Sequence, residues 1–139
     1  MEKLFDGVRR IQPAQLHVSQ LYVSRTKLQA VQAWLTPATL NACRPLPVHD
    51  FGDGFFTLTD GHTRALALLL LGLPCPVCYD TDEMVAGPEG QKAYRTAIGW
   101  CRDEGVCTVG DLRKRVVGQT QYEKLWLDRC AQAFAELGQ

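Results

Sequence analysis

Five consecutive residues, Asp60-Gly61-His62-Thr63-Arg64, stand directly before the apolar run 65–71, and their types suit the binding of an anion. Gly72 and Pro74 close that run, so start and stop signals bracket one helix. With Asp60 at the N-cap, Gly61, His62 and Thr63 fall in the first turn, where backbone N–H groups have no partner within the helix. Arg64, and His62 if protonated, would sit at the positive end of the helix dipole, where a cation costs a few tenths to about 1 kcal/mol. A bound negative charge reverses that penalty. Backbone donors, an imidazole and a guanidinium converging on one helix start suit phosphate, which arginine can hold through two parallel hydrogen bonds. A plainer reading stands beside this one: Asp60 as a simple cap, and Arg64 paired with a distant carboxylate such as Asp50, Asp80 or Asp82.

The other chemistry-bearing residues make weaker patterns. Cys75-Pro76-Val77-Cys78 has C-x-x-C spacing, but structural zinc needs four ligands and no second C-x-x-C or H-x-x-x-H follows, so no metal site is expected. In a strand these two thiols point to opposite faces. Asp80, Asp82 and Glu83 could hold magnesium if their loop ends beside Asp60, and otherwise form a solvated turn. His17 and His49 have no partner nearby in sequence and read as structural, and Trp34, Trp100 and Trp126 lie on helix faces and read as core.

These residues need a scaffold, and the pattern supplies one. The chain has 139 residues, 46% hydrophobic and 22% charged, which suits a single folded domain and excludes a disordered or fibrous chain. Residues 8–11 read as a strand ended by Pro13. Ser24 caps a helix over 25–35, with Leu28, Val31, Trp34 and Leu35 on one face. Residues 46–51 and 55–59 read as two antiparallel strands joined by Gly52-Asp53-Gly54, residue types that accept positive φ. The apolar helix after Asp60 is hydrophobic all round and belongs at the centre of the core; residues 75–79 then form a strand. From Glu89 the pattern is helical, with Tyr94, Ala97, Ile98 and Cys101 on one face and a break at Gly105. Thr108 opens a short helix, and Thr120-Gln121-Tyr122-Glu123 has the form of a capping box opening a helix through about 137. Residues 86–88 are a candidate seam before this helical tail, which should pack back on the core.

Fifteen Lys and Arg against fifteen Asp and Glu leave no net charge to draw the protein to nucleic acid, so Arg113-Lys114-Arg115 reads as a solvated face and DNA as an unfavoured partner. The longest apolar run has seven residues, far short of the roughly 18 that span a membrane. The charged start, Met1 to Asp6, has no export signal, so a cytoplasmic protein with six reduced cysteines is expected.

The order strand, helix, Leu46-Pro47-Val48 strand, glycine-turn hairpin, Asp60-Gly61-His62-Thr63-Arg64, apolar helix and Leu73-Pro74-Cys75-Pro76-Val77 strand resembles the ParB/sulfiredoxin-like superfamily, over residues 8–83. That superfamily holds the nucleotide-binding domain of ParB partition proteins, the sulfiredoxins and a group of free-serine kinases, and the motif here is most similar to the kinase form. The resemblance implies an α/β (α+β) domain over 1–139, with a small mixed sheet, a superfamily core at 8–83 and a helical extension at 88–137. It also implies a nucleotide (ATP, ADP or CTP), with or without magnesium, whose phosphates meet Gly61, His62, Thr63 and Arg64, with Asp60 beside the transferred group. Two departures matter. No cysteine lies in the motif, against sulfiredoxin chemistry, and no glutamate lies between Glu2 and Glu83, whereas the kinases use one as a base. Two functions follow as expectations: a phosphotransferase acting on a small hydroxyl-bearing acceptor, or a non-catalytic nucleotide-responsive module.

Overall fold

The structure, a computed structural model, describes residues 4–137; the first three residues of the charged N-terminal stretch lie outside it. It is a mixed α/β arrangement. Strand β1 (Val8–Ile11) leads through a 3-10 turn at Pro13–Gln15 to β2 (Val23–Ser24) and α1 (Arg25–Gln32). A second 3-10 turn, Pro37–Ala42, precedes β3 (Leu46–His49), β4 (Thr57–Leu58), α2 (His62–Leu71) and β5 (Cys75–Tyr79). Helices α3 (Glu83–Ala86) and α4 (Pro88–Asp103) follow, then a 3-10 turn at Val109–Lys114, β6 (Val116–Val117), α5 (Gln119–Tyr122), a π-helical turn at Glu123–Leu127 and α6 (Asp128–Leu137). Among the described residues no helix is long and apolar enough to cross a membrane.

The main sheet has the order β1-β5-β3-β4. β5 runs antiparallel to β1, with Ile11 opposite Cys75, and parallel to β3, with Leu46 opposite Val77; β3 and β4 form the antiparallel hairpin. That hairpin is wider than its sequence suggests, because the strands stop at His49 and Thr57. The Asp50 carboxylate takes over there, accepting hydrogen bonds from the N–H groups of Gly52 (2.8 Å) and Gly54 (3.2 Å). Both glycines have positive φ, 94° and 83°. A second, two-stranded sheet pairs β2 with β6 in parallel.

α2 packs against α1 and against the 3-10 turns at both ends of the chain. Leu66 and Leu68 of α2 are fully buried with Leu16, Leu21, Leu46, Leu58 and Leu112, and each such leucine removes enough apolar area to favour folding by about 1.5–3 kcal/mol. Gly72, at φ 71°, ends the helix as expected. The helix is less enclosed than a fully apolar sequence implies, since Leu70 and Leu71 at its end are 50% and 42% exposed.

Two further expectations are corrected. α1 stops at Gln32, and Trp34 beyond it is 41% exposed, so Trp34 is not core, whereas Leu35 is. Thr120 does not cap a helix: α5 already begins at Gln119 behind Gly118, and the Gln119 side chain accepts from the Ser24 hydroxyl while its amide donates to Glu123. Tertiary contact with Ser24 sets the start. The segment 86–88 is the junction between α3 and α4. A Cβ on Gly90 would lie 2.3 Å from the Met84 carbonyl oxygen, so α3 and α4 meet in close backbone contact. Ala97 and Cys101 of α4 and Trp126 of the π turn join the same core as the sheet.

Candidate functional site

The motif sits where α2 begins, but its geometry differs from the capped helix start expected. Gly61, not Asp60, is the N-cap, with φ 79° and ψ 20°, and Asp60 is exposed one residue outside. A left-handed residue turns the chain into the helix, so the aspartate lies one residue before the N-cap and makes no cap bond. The first intrahelical bond runs from Ala65 N–H to the Gly61 carbonyl (2.9 Å), leaving the N–H groups of His62, Thr63 and Arg64 outside the helical ladder. Gly61 is required twice over. Its φ disfavours any side chain, and a Cβ there would sit 2.9 Å from Nη2 of Arg64 and 3.0 Å from Cγ of Leu46.

Arg64, half-buried, folds back over Gly61 and donates from Nη1 to the Arg44 carbonyl at 3.1 Å. Among the described residues it makes no ion pair. The carboxylates considered as its partners are engaged elsewhere. Asp50 holds the hairpin, Asp82 accepts from Met84 N–H to cap α3, and Asp80 accepts from Asp82 N–H and from the Thr59 hydroxyl (2.6 Å).

His62 departs furthest from expectation. Its ring is 3% exposed, and burial, opposed in part by the Asp60 charge, lowers its pKa to about 4. It is therefore neutral at pH 7 and offers no positive charge to an anion. Nε2 accepts a hydrogen bond from Ser19 N–H (3.0 Å), which puts the ring proton on Nδ1, and that buried Nδ1 has no partner.

The two sides of this turn face different surroundings. Of the motif, only His62 lines a cavity of about 810 Å³ between the core and the C-terminal helices. Ser19 and Thr59 share its inner wall, and Tyr94, Ala97 and Trp126 its outer one. Asp60 stays close enough to act on the charge states of His62, Tyr94 and Tyr122. Tyr94 donates to the Thr59 carbonyl (3.0 Å), and its pKa is raised by burial first and then by Asp80, Asp60 and Asp82. Sequence reading missed this cavity, because Ser19 and Trp126 are brought together only by tertiary packing.

The remaining candidates resolve simply. Cys75 is fully buried and its thiol is pushed up to about 12 by burial, whereas Cys78 is only partly buried. Among the described residues no group of three His, Cys, Asp or Glu could hold a metal ion. His49 is buried and bonded through Nδ1 to the Asp80 carbonyl and through Nε2 to Gln91; His17 stacks on Phe55 with ring centroids 3.9 Å apart. Arg115 is tied to Glu104 (2.9 Å) and lies over the Tyr22 ring, so this member of the basic triplet is internally paired.

No family model, curated protein or solved structure matches this chain. The superfamily resemblance thus rests on the motif and on the order of elements.

Proposed function

We propose that this chain binds a nucleoside di- or triphosphate with its phosphates against the first turn of α2. The observation that carries this reading is Arg64: a half-buried guanidinium laid across Gly61, without a carboxylate partner among the described residues, beside three N–H groups outside the helical ladder. A phosphate there would receive backbone donors from Thr63 and Arg64 and charge from one guanidinium. His62 enters only as a neutral residue.

In the phosphotransferase form, Asp60 orients the acceptor hydroxyl. The acceptor oxygen bonds to the terminal phosphorus as the phosphoanhydride bond breaks, the hydroxyl proton passes to the Asp60 carboxylate, and the shortened nucleotide leaves. Exposure leaves Asp60 accessible for this role. Without a three-residue metal cluster among the described residues, a magnesium ion would be held by the phosphates with Asp60. The non-catalytic form is favoured by the engagement of Asp50, Asp80 and Asp82 in turns and caps, which leaves Asp60 without a second acidic group for proton transfer.

Thermal unfolding with ATP, ADP and CTP, each with and without magnesium, tests the binding. A ligand at about 100 times its dissociation constant adds about 2.7 kcal/mol, a rise of several degrees. Arg64→Ala should abolish the rise; no shift with any nucleotide at millimolar concentration ends the proposal. Turnover with an added hydroxyl acceptor that Asp60→Asn removes supports the enzyme, and binding without turnover supports the module.

A further inference from the structure

We propose that the cavity between α2 and the C-terminal helices is a separate binding site for a small organic cation that has an apolar or aromatic body and a hydrogen-bond acceptor. Its walls set the chemistry. The side chains of Tyr94, Ala97, Trp126 and Phe134 give it an apolar, largely aromatic surface, and about 810 Å³ lies within the size range of small-molecule sites.

Charge sets the sign of the ligand. The lining residues include two carboxylates, Glu83 and Glu89, and no lysine or arginine. Both glutamates are exposed, and among the described residues neither forms an ion pair. The Glu83 carboxylate curls over Gly87 at the rim, where a Cβ would meet its Oε1. Asp60, Asp80 and Asp82 lie near enough to raise the pKa of Tyr94 after burial, which adds acidic groups on this side. A phosphate would be repelled here, which separates this site from the one proposed at Arg64. The neighbouring cations are seated on rings that do not line the cavity: Arg129 lies 4.1 Å from the Trp100 ring centroid and Lys27 4.9 Å from that of Tyr122. Trp100 packs edge-on against Trp126, so the aromatic cluster that lines the cavity already holds one protein cation.

The buried imidazole fixes the second requirement. His62 is 97% buried on the cavity wall, its Nε2 taken by Ser19 N–H, and the proton on its Nδ1 has no acceptor in the protein. A buried donor without a partner is costly, and an acceptor atom on a ligand in the cavity would relieve that cost. Trp126 lies in the one π-helical turn among the described residues, a distortion that often marks a functional site.

The probe is L-phenylalaninamide, an aromatic ammonium with a carbonyl, set against the anion N-acetyl-L-phenylalanine, which has the same ring. Calorimetry and tryptophan emission should show saturable one-to-one binding of the amide, with the acid at least about ten-fold weaker. The Nδ1–H signal of His62 in a histidine-labelled sample should move on titration. Replacing both rim carboxylates, Glu83→Gln with Glu89→Gln, should weaken the amide about ten-fold and remove the preference over the acid. Ala93→Trp, which fills the cavity from half-buried α4, should abolish binding. Equal binding of amide and acid, no saturable binding of the amide at millimolar concentration, or unchanged binding in Ala93→Trp would each overturn the proposal.

Discussion

His62 and Arg64 leave the same turn of α2 two residues apart, and one enters the core without its charge while the other keeps its charge near the surface. Burial lowers the imidazole pKa to about 4, and a single backbone N–H holds the ring. The guanidinium stays half-buried and is steadied by a carbonyl oxygen. The difference teaches that a run of polar residues at a helix start is not one chemical unit. A group that can lose its proton can be absorbed by the fold; one that cannot must stay where charge is tolerated.

Removing the absorbed member should have the largest effect. His62→Ala removes a buried side chain from the cavity wall and orphans the Ser19 N–H, so urea unfolding should show a loss of about 3 kcal/mol. A cost below about 1 kcal/mol would break the comparison, placing His62 outside the core in solution. Acid probes the same residue without mutation. Its folded pKa lies below its value of 6.5 in the unfolded chain, so the unfolded state takes up more protons as pH falls. Stability present above pH 6.5 should fall by about 3 kcal/mol between pH 6.5 and 4, measured as the urea midpoint against pH. His17, held low mainly by burial, adds a decrease of the same sign. If His62→Phe showed the same slope as the unaltered chain, titration of His62 would not be its source.

Gly61→Ala should cost about 2 kcal/mol, from the positive φ and from contact with Arg64 and Leu46, read as a drop in melting temperature. Pairing it with Arg64→Ala removes one of those contacts, and a partial rescue in the double variant would sharpen the assignment. Arg64→Ala alone should be the mildest, about 1 kcal/mol for one hydrogen bond at a half-exposed site. Its signature is instead the lost response to nucleotide.

The sequence carried the strands at 8–11 and 75–79, the Ser24 cap and the Gly72 stop because each depends on neighbours a few residues away. Where the determinant is distant, local pattern misleads. Asp60 is a good cap by type, yet the backbone turns at Gly61. Thr120 fits a capping box, yet Gln119 is held by Ser24, 95 positions away. Trp34 fits an apolar face, yet the helix has ended before it. The charge state of His62 was the most consequential residue property out of reach, since its burial comes from packing that no spacing encodes.

The parallel pairing of Val23 with Val116 also orders events in time. Closing a loop of that length early would cost more chain entropy than closing the nearby hairpin, so the hairpin and α2 can organise first while the small sheet waits. During synthesis Val23, buried in the finished fold, remains without its parallel partner until the chain has been made past Val117. Over that interval the β2 edge is open to holding factors and to aggregation, and pairing with β6 covers it.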